Sequence, residues 1–398
     1  MSLDYETYPL KELNEGASVF SGFAFKSKDF SDDGIPIVKI KNIQNKSVDL
    51  KEVQYFPLDK VNNKHKKFFL KNNDVLIAMT GQGSLGRVGR INLESNEYVL
   101  LNQRVGKFVV DEKNLHLNYL YHVISSDMYE KILFDRGTGS GQPNLSPEII
   151  LGTEIPMPNL TTQKKISSIL DNINSKINLN KKINKNLEEQ LNLIFNDWFV
   201  NCTPFKNEEL IKLEWGFVPE SWKDIEFGEL IEITSGDRPK EKSEIKTSEF
   251  KIPLFGASKI MGYTKEVLYH EDILIIGRVG THGVVQRVNY PCFPSDNTFV
   301  IKSKYYGFVY QLLKKIDYDS LNTGSTQPLI TQKSLKTVNV VLPDKKILSI
   351  FEMISKVIFD KIYLNNNEIF NLTKLRDTLL PKLMSGEIDV SKINCDLE

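Results

Sequence analysis

Thr138-Gly139-Ser140-Gly141-Gln142-Pro143 recurs 185 residues later as Thr323-Gly324-Ser325-Thr326-Gln327-Pro328, and the recurrence decides how the chain is read. An offset that holds over further positions marks a duplicated unit rather than a chance match. The same offset carries Ser146 onto Thr331 and Pro158 onto Pro343. Beyond the prolines, Lys164-Lys165-Ile166 answers Lys345-Lys346-Ile347 at an offset of 181, so the copies differ there by one short indel. Upstream, Asp74-Val75-Leu76-Ile77 answers Asp272-Ile273-Leu274-Ile275, each followed by a glycine-rich turn that holds an arginine, Arg87 or Arg278.

Each copy leads into a long helical segment. Ile166, Leu170, Ile173, Ile177, Asn180, Asn184, Leu187, Leu191, Ile194 and Trp198 are spaced alternately by four and three, a heptad seam that is apolar except for its two asparagines. The second segment runs through Ile347, Phe351, Ile354, Ile358, Lys361, Asn365, Leu372, Leu375 and Leu379 and stops near Pro381. About 40 residues of helix span roughly 60 Å. Polar middles at similar depth predict an antiparallel coiled coil whose register is set by Asn180 and Asn184 near Lys361 and Asn365. Alternatively, each helix packs on its own domain, with Leu179 and Ile183 carrying the apolar face past the asparagines. The other segments read as short β-runs (Ile35 to Ile40, Val75 to Met79, Tyr98 to Leu101 and Val105 to Val110, then Ile273 to Ile276, Val284 to Val288 and Phe299 to Ile301) broken by Gly, Asn and Pro, each with a helical stretch, Asn118 to Phe134 or Tyr306 to Ile316. The expected organisation is mixed α/β: domains at 1–158 and 204–343, long helices at 159–203 and 344–385, and a tail at 386–398.

With 398 residues, 40% of them hydrophobic, the chain can bury the cores of two or more domains. Lys+Arg and Asp+Glu both number 51, so a nucleic-acid partner has to be held by a local basic face. No apolar run approaches the roughly 18 residues of a membrane helix, and Asp4 and Glu6 spoil a signal peptide, which predicts a soluble cytoplasmic protein with no membrane partner. Cys202, Cys292 and Cys395 are widely spaced with no CxxC, which points to a reducing compartment and away from structural zinc. No GxxxxGK[ST] loop exists, so no nucleotide-driven motor is expected. Gly81-Gln82-Gly83-Ser84-Leu85-Gly86 fits GxGxxG, but Arg87-Val88-Gly89-Arg90-Ile91 follows as a strand where a dinucleotide site needs a helix. Asn289-Tyr290-Pro291-Cys292 lacks the first proline of the Asn-Pro-Pro-Tyr motif of amino-methyltransferases, and reads as a proline-containing turn. Glu244-Ile245-Lys246 behind Pro219-Glu220 is too common a pattern to indicate a nuclease.

Three longer words narrow the class: Gly34-Ile35-Pro36-Ile37-Val38-Lys39-Ile40-Lys41-Asn42-Ile43, Leu193-Ile194-Phe195-Asn196-Asp197-Trp198-Phe199-Val200, and Leu375-Arg376-Asp377-Thr378-Leu379-Leu380-Pro381-Lys382-Leu383-Met384-Ser385-Gly386-Glu387-Ile388. With the order domain, helix, domain, helix, they make nearly the whole chain resemble the specificity subunit of Type I restriction-modification systems. The resemblance implies two target recognition domains with curved, largely antiparallel sheets, each reading one half of a bipartite double-stranded DNA target. It implies a coiled coil that sets the spacer and docks two modification subunits. It also implies no catalysis and no cofactor in this chain, with S-adenosylmethionine, ATP and Mg on the modification and restriction subunits. The two domains differ outside the shared words: the second begins with Trp222-Lys223-Asp224-Ile225 where the first has Ser21-Gly22-Phe23-Ala24-Phe25, so an asymmetric target is expected. Two other classes remain: an adenine methyltransferase with its own recognition domains, which would need a cofactor loop that is missing, and a coiled-coil scaffold whose domains bind protein.

A neutral protein binds DNA by segregating Lys, Arg and amide donors onto one face. The turns Thr80 to Arg87 and Gly277 to Gly283 are the main candidates. Their glycines admit close backbone approach, and Thr80, Gln82, Ser84, Arg87, Arg278, Thr281 and His282 offer donors to phosphates or base edges; the alternative is a tight hairpin with polar surface residues. Lys39, Lys41, Arg104, Lys259 and Asn297 complete the candidate set. Ser140, Gln142, Ser325 and Gln327 occur in both copies and cannot distinguish two sequences, so they contact backbone or shape the junction of domain and helix. Lys60, Lys64, His65, Lys66, Lys67 and Lys71 make a basic stretch that is either a phosphate-contacting loop or a solvated turn.

Overall fold

The computed structural model describes residues 8–138, 143–213, 216–322 and 329–393. It divides into two compact units, Met1–Leu179 with Glu368–Glu398, and Asn180–Asn367.

In the first unit, Val75–Ala78 is an unbroken apolar run because both faces of its sheet are covered. Val75 and Ile77 face Leu120, Ile124 and Leu133, while Leu76 and Ala78 face Val38, Ile43, Ile91 and Leu101. The sheet has six strands in the order Ala17–Ser21, Val105–Val110, Val75–Ala78, Val88–Arg90, Ser47–Val48 and Ile43–Gln44. Ile35–Val38 pairs antiparallel with Gln54–Phe56 and parallel with Leu100–Leu101 in a smaller sheet. The helical stretch late in this domain is two helices, Leu117–Ile124 and Asp127–Gly137, because Ser126 caps the second by accepting from the Tyr129 amide.

The second unit repeats the plan. Ile273–Gly277 turns Leu274 and Ile276 to one cluster and Ile273 and Ile275 to another. Its sheet order, Glu232–Ser235, Thr298–Lys302, Ile273–Gly277, Gln286–Val288, matches the first four strands of the six. Ser146 and Thr331, matched by the repeat, are both N-caps, of Pro147–Leu151 and Gln332–Lys336, accepting from the Ile149 and Ser334 amides.

The long helices are Leu160–Phe195, which Asn159 starts by accepting from the Thr162 amide, and Lys345–Ser385. In the first unit their pairing is antiparallel: Lys165 donates to the Ser391 carbonyl, Arg376 donates to Asn174 at 3.1 Å, and Lys176 pairs with Glu368 at 3.6 Å. In the second unit it is also antiparallel, with Asn184 meeting Asn365 and the Phe195 ring 6.0 Å from that of Phe351. Pro381 does not stop the second helix, which continues to Ser385 and ends at Gly386, in the left-handed conformation that closes helices (φ 84°). Among the described residues no helix is long and apolar enough to cross a membrane.

Candidate nucleic-acid interface

Three segments converge where each central strand ends. In the first unit Met79 donates to the Arg104 carbonyl at 3.0 Å and accepts from the Leu145 amide at 2.8 Å, while Asn102 donates to Val38 at 3.1 Å. In the second, Arg278 donates to the Asn297 carbonyl at 3.0 Å and accepts from Ile330 at 3.0 Å, while Ser295 donates to Phe255 at 2.9 Å. Thr80 bridges Asn144, and Val279 bridges Leu329. One framework therefore presents the glycine turn, the turn before the next sheet strand and the residues that follow the repeated Thr-Gly-Ser-x-Gln-Pro loop. Ser140, Gln142, Ser325 and Gln327 lie outside the described residues. The bonding also corrects the pairing of arginines: Arg278 occupies the place of Met79, not of Arg87. The two turns have different internal spacing, which a comparison of motifs alone does not register.

Gln82, Arg87, Arg104, Thr281 and Asn297 are exposed on these turns, Ser84 and His282 are half-buried, and Lys259 is exposed on the separate turn between Ile252–Phe255 and Ile260–Thr264. The Arg278 guanidinium carbon lies 5.7 Å from the centre of the Phe299 ring, and its Nε, like Thr80 Oγ1, is buried without a hydrogen-bond partner among the described residues. Lys39 follows the strand that receives Asn102; its ammonium lies 3.9 Å from the Phe30 ring centre and donates to Gln54. Burial, then the charge of Lys41, hold Lys39 below the ordinary lysine range. Lys41 is exposed.

Of the basic stretch, Lys60, Lys64, Lys66, Lys67 and Lys71 are exposed, but His65 is a core residue. Its ring packs 4.8 Å from Phe23 and 4.9 Å from Phe56, and its Nδ1 accepts from the Asn62 amide. A short 3-10 turn, Lys66–Phe68, points neighbouring lysines outward while tucking the imidazole beneath.

Asn365 donates to Asn184 Oδ1 at 2.8 Å, and Asn184 donates to Asn366 at 2.9 Å. Asn180 is buried. Lys361 is exposed, and Ile362 takes its expected place: the buried face runs Leu348, Phe351, Ser355, Ile362, Asn365, which keeps Phe351 and Asn365 of the expected seam and replaces Ile347, Ile354 and Lys361 by the residue after each. Leu179 is 51% exposed, so it does not carry the apolar face past the asparagines.

Two features escape sequence reasoning. Gly22 and Gly236 hold equivalent places, since Phe23 bridges Asn102 and Asp237 bridges Ser295. A Cβ on either would overlap the carbonyl oxygens of Leu101 and Asn102 or of Pro294 and Ser295. The start of the second domain is thereby corrected: Ser235-Gly236 answers Ser21-Gly22, whereas Lys223–Glu226 pairs with Asn339–Leu342 as Leu10–Glu12 pairs with Glu154–Pro156. The second feature is Arg90 and Arg287, which lie opposite Val75 and Leu274 in the sheets. The Arg90 guanidinium lies 3.9 Å from the Tyr121 ring centre and 3.1 Å from Asp171 of the long helix. Asp171 also accepts from Asn118 at 2.8 Å and lies 2.9 Å from His122 Nε2. Burial works against the Asp171 charge, but the His122 bond and the His122 and Arg90 charges outweigh it and hold the carboxyl below its ordinary range. Arg287 lies 3.8 Å from the Phe359 ring centre and 5.0 Å from that of Tyr310, and pairs with Glu188, which also accepts from the Tyr310 hydroxyl at 3.1 Å.

The family description "Type I restriction modification DNA specificity domain" matches residues 3–189 and 219–371. The chain is 27% identical over 316 residues to the Type I restriction enzyme MjaIX specificity subunit of Methanocaldococcus jannaschii, covering 72% of each. It is 21% identical to the HindI specificity subunit of Haemophilus influenzae, covering 80% of this chain and 87% of that one. The S subunit of a Type I restriction-modification system from M. genitalium shares the fold with a TM-score of 0.58 at 17% identity, covering 96% of this chain and 97% of that one.

Proposed function

The chain belongs to the family of the Type I restriction modification DNA specificity domain, and we propose that each of its two units reads one half of a bipartite, asymmetric double-stranded DNA target. One observation carries this reading: the same hydrogen-bonded framework is built twice and ends in turns of unlike content, Thr80 to Arg87 and Arg278 to Gly283. A repeated framework suits a common task, such as seating against phosphates, and unlike turns suit unlike base edges. Among the candidate contacts, Arg278, Thr281, His282 and Asn297 would serve one half-site, and Gln82, Ser84 and Arg104 the other, with Arg87, Lys41 and Lys259 near phosphates.

The paired helices then set the spacer and dock two modification subunits. An exposed apolar row on the second helix, Ile350, Met353, Val357 and Leu364, supports the docking role, because its helical spacing is that of a second packing face. In this reading the chain itself is non-catalytic, and S-adenosylmethionine, ATP and Mg act on the modification and restriction subunits.

The test is the sequence context of methylated adenines in cells carrying this chain with its modification subunits. A split sequence with two unlike halves is expected. Removing one heptad from each long helix takes out about 10 Å of helix, so the spacer should shorten by about three base pairs with both halves retained. An unchanged spacer would overturn the measuring role of the helices, and methylation of a continuous short sequence would overturn the bipartite reading.

A further inference from the structure

We propose that Arg90 and Arg287 are positioning residues for DNA recognition, each clamping its glycine-turn hairpin to a long helix so that the turn is held at a fixed aim. The inference rests on the DNA-reading function proposed above. The two arginines occupy one place in the repeated sheet, on the strand that leaves the glycine turn and opposite the start of the strand that enters it. Each guanidinium lies over a tyrosine of the equivalent helix, Tyr121 of Leu117–Ile124 or Tyr310 of Tyr306–Leu313, and each pairs with an acid of the helix Leu160–Phe195. The acids are unlike and come from different turns of that helix, Asp171 and Glu188. What recurs is an arginine that joins sheet, domain helix and long helix.

Geometry says what such a joint controls. From Val75 to Thr80 the strand runs about 16 Å, so a tilt of about 5° at the clamp moves the turn by about 1.4 Å. Recognition contacts tolerate displacements of only about 0.5 Å. A guanidinium stacked on a ring and bonded to a carboxylate fixes direction as well as distance, which a lysine at the same place does not. Both arginines are mostly covered and already engaged with protein, so neither is offered to DNA.

The experiment uses the full chain assembled with its modification subunits and duplexes bearing the methylated sequence, or that sequence altered in one half. Arg287→Met keeps an apolar stem against Phe359 and Tyr310 and removes the charge. It should weaken binding about tenfold or more, the scale of losing the contacts to one base pair, and relax discrimination only in the half read by the second unit. The slope of log affinity against log salt should stay that of the unaltered complex, since no phosphate contact is lost. Glu188→Gln should shift discrimination in the same half without altering the slope, and the exchange of Arg287→Glu with Glu188→Arg should recover part of the loss. A slope shallower by about 0.9 would mean that Arg287 touches a phosphate and would overturn the proposal. So would unchanged affinity, or equal loss of discrimination in both halves. If the unaltered complex prefers no sequence at all, the recognition function itself fails, a result read before any variant is compared.

Discussion

The glycine turn of the first unit is packed from behind where it closes, whereas among the described residues the close of its counterpart in the second stands open but for one tyrosine ring. Leu85 is buried under the first turn, Val88 donates to Glu130 Oε1 at 3.1 Å, and a Cβ at Gly86 would meet Leu133 and the Glu130 carbonyl at 3.2 Å. In the second turn, among the described residues, a Cβ at Gly280 would meet nothing within 4 Å, as is also true at Gly83 of the first turn, and one at Gly283 would meet only the ring of Tyr318. Yet the strands on either side are held by the same bonds in the same order. Selection for a common framework and for different tips leaves this pattern: the sheet and its clamps are constrained by packing, the turns by whatever they face.

Exchanging residues 1–158 for the matching domain of a relative tests that separation most severely. The half-site read by the first unit should be replaced entirely and the other left untouched, as read from genomic adenine methylation; change in both halves would break the comparison. A single residue asks the same question on a smaller scale. Arg278→Ala removes a half-buried donor at the root of the open turn and should cost about 1–3 kcal/mol of binding with relaxed discrimination at one position. Arg87→Ala removes an exposed donor and should weaken all sequences alike, lowering the salt slope by about 0.9. Equal behaviour of the two variants in salt titrations of affinity would erase the distinction between the turns.

Features carried by short, local words were legible in the sequence: the repeat matches Ser146 with Thr331, which the structure shows to be helix caps in both copies, and Val75–Ala78 and Ile273–Gly277 are buried strands because a run apolar on both faces has no solvent side. The shared place of Gly22 and Gly236 was not legible, since a two-residue word recurs by chance and only the close approach of a neighbouring strand reveals why no Cβ fits. Arg90 and Arg287 were hidden because turns of unequal length separate them from the matched words and their acids differ. His65 was misread because lysines on both sides mask a residue whose backbone turns it inward, and Lys361 because one step of drift in a long helix exchanges a seam position for an exposed one. Gly22→Ala and Gly236→Ala sharpen the shared half of the comparison. Each should destabilise its own unit by about 1–3 kcal/mol through overlap with backbone carbonyls, measured by denaturant unfolding, and a large difference between them would show that the two frameworks are not equivalent.

The smallest effect separates the two units by pH. His122 and Gln311 hold the same position on equivalent helices, and both are buried. Burial holds His122 below the ordinary value of 6.5, and the bond and charge of Asp171 offset this only in part. In the unfolded chain the imidazole takes a proton near that ordinary value, which the folded state refuses, so stability falls as pH drops below about 6.5 until the folded pKa is reached. His116, lowered chiefly by burial, adds to the same loss. Asp171, held low, contributes stability that is lost only as pH falls below its ordinary value of 3.8, outside this window. Glu130 of the first unit and Glu352 of the second are raised by burial, and both act with the opposite sign, since the folded state accepts their protons first. The second unit has Gln311 in place of the imidazole and carries the opposing contribution of Glu352. Hydrogen exchange followed by mass spectrometry between about pH 7.5 and pH 5, corrected for the intrinsic rate, should show protection falling in the first unit relative to the second. His122→Gln should remove much of that difference; a difference that survives the substitution would place its origin elsewhere than in this buried imidazole.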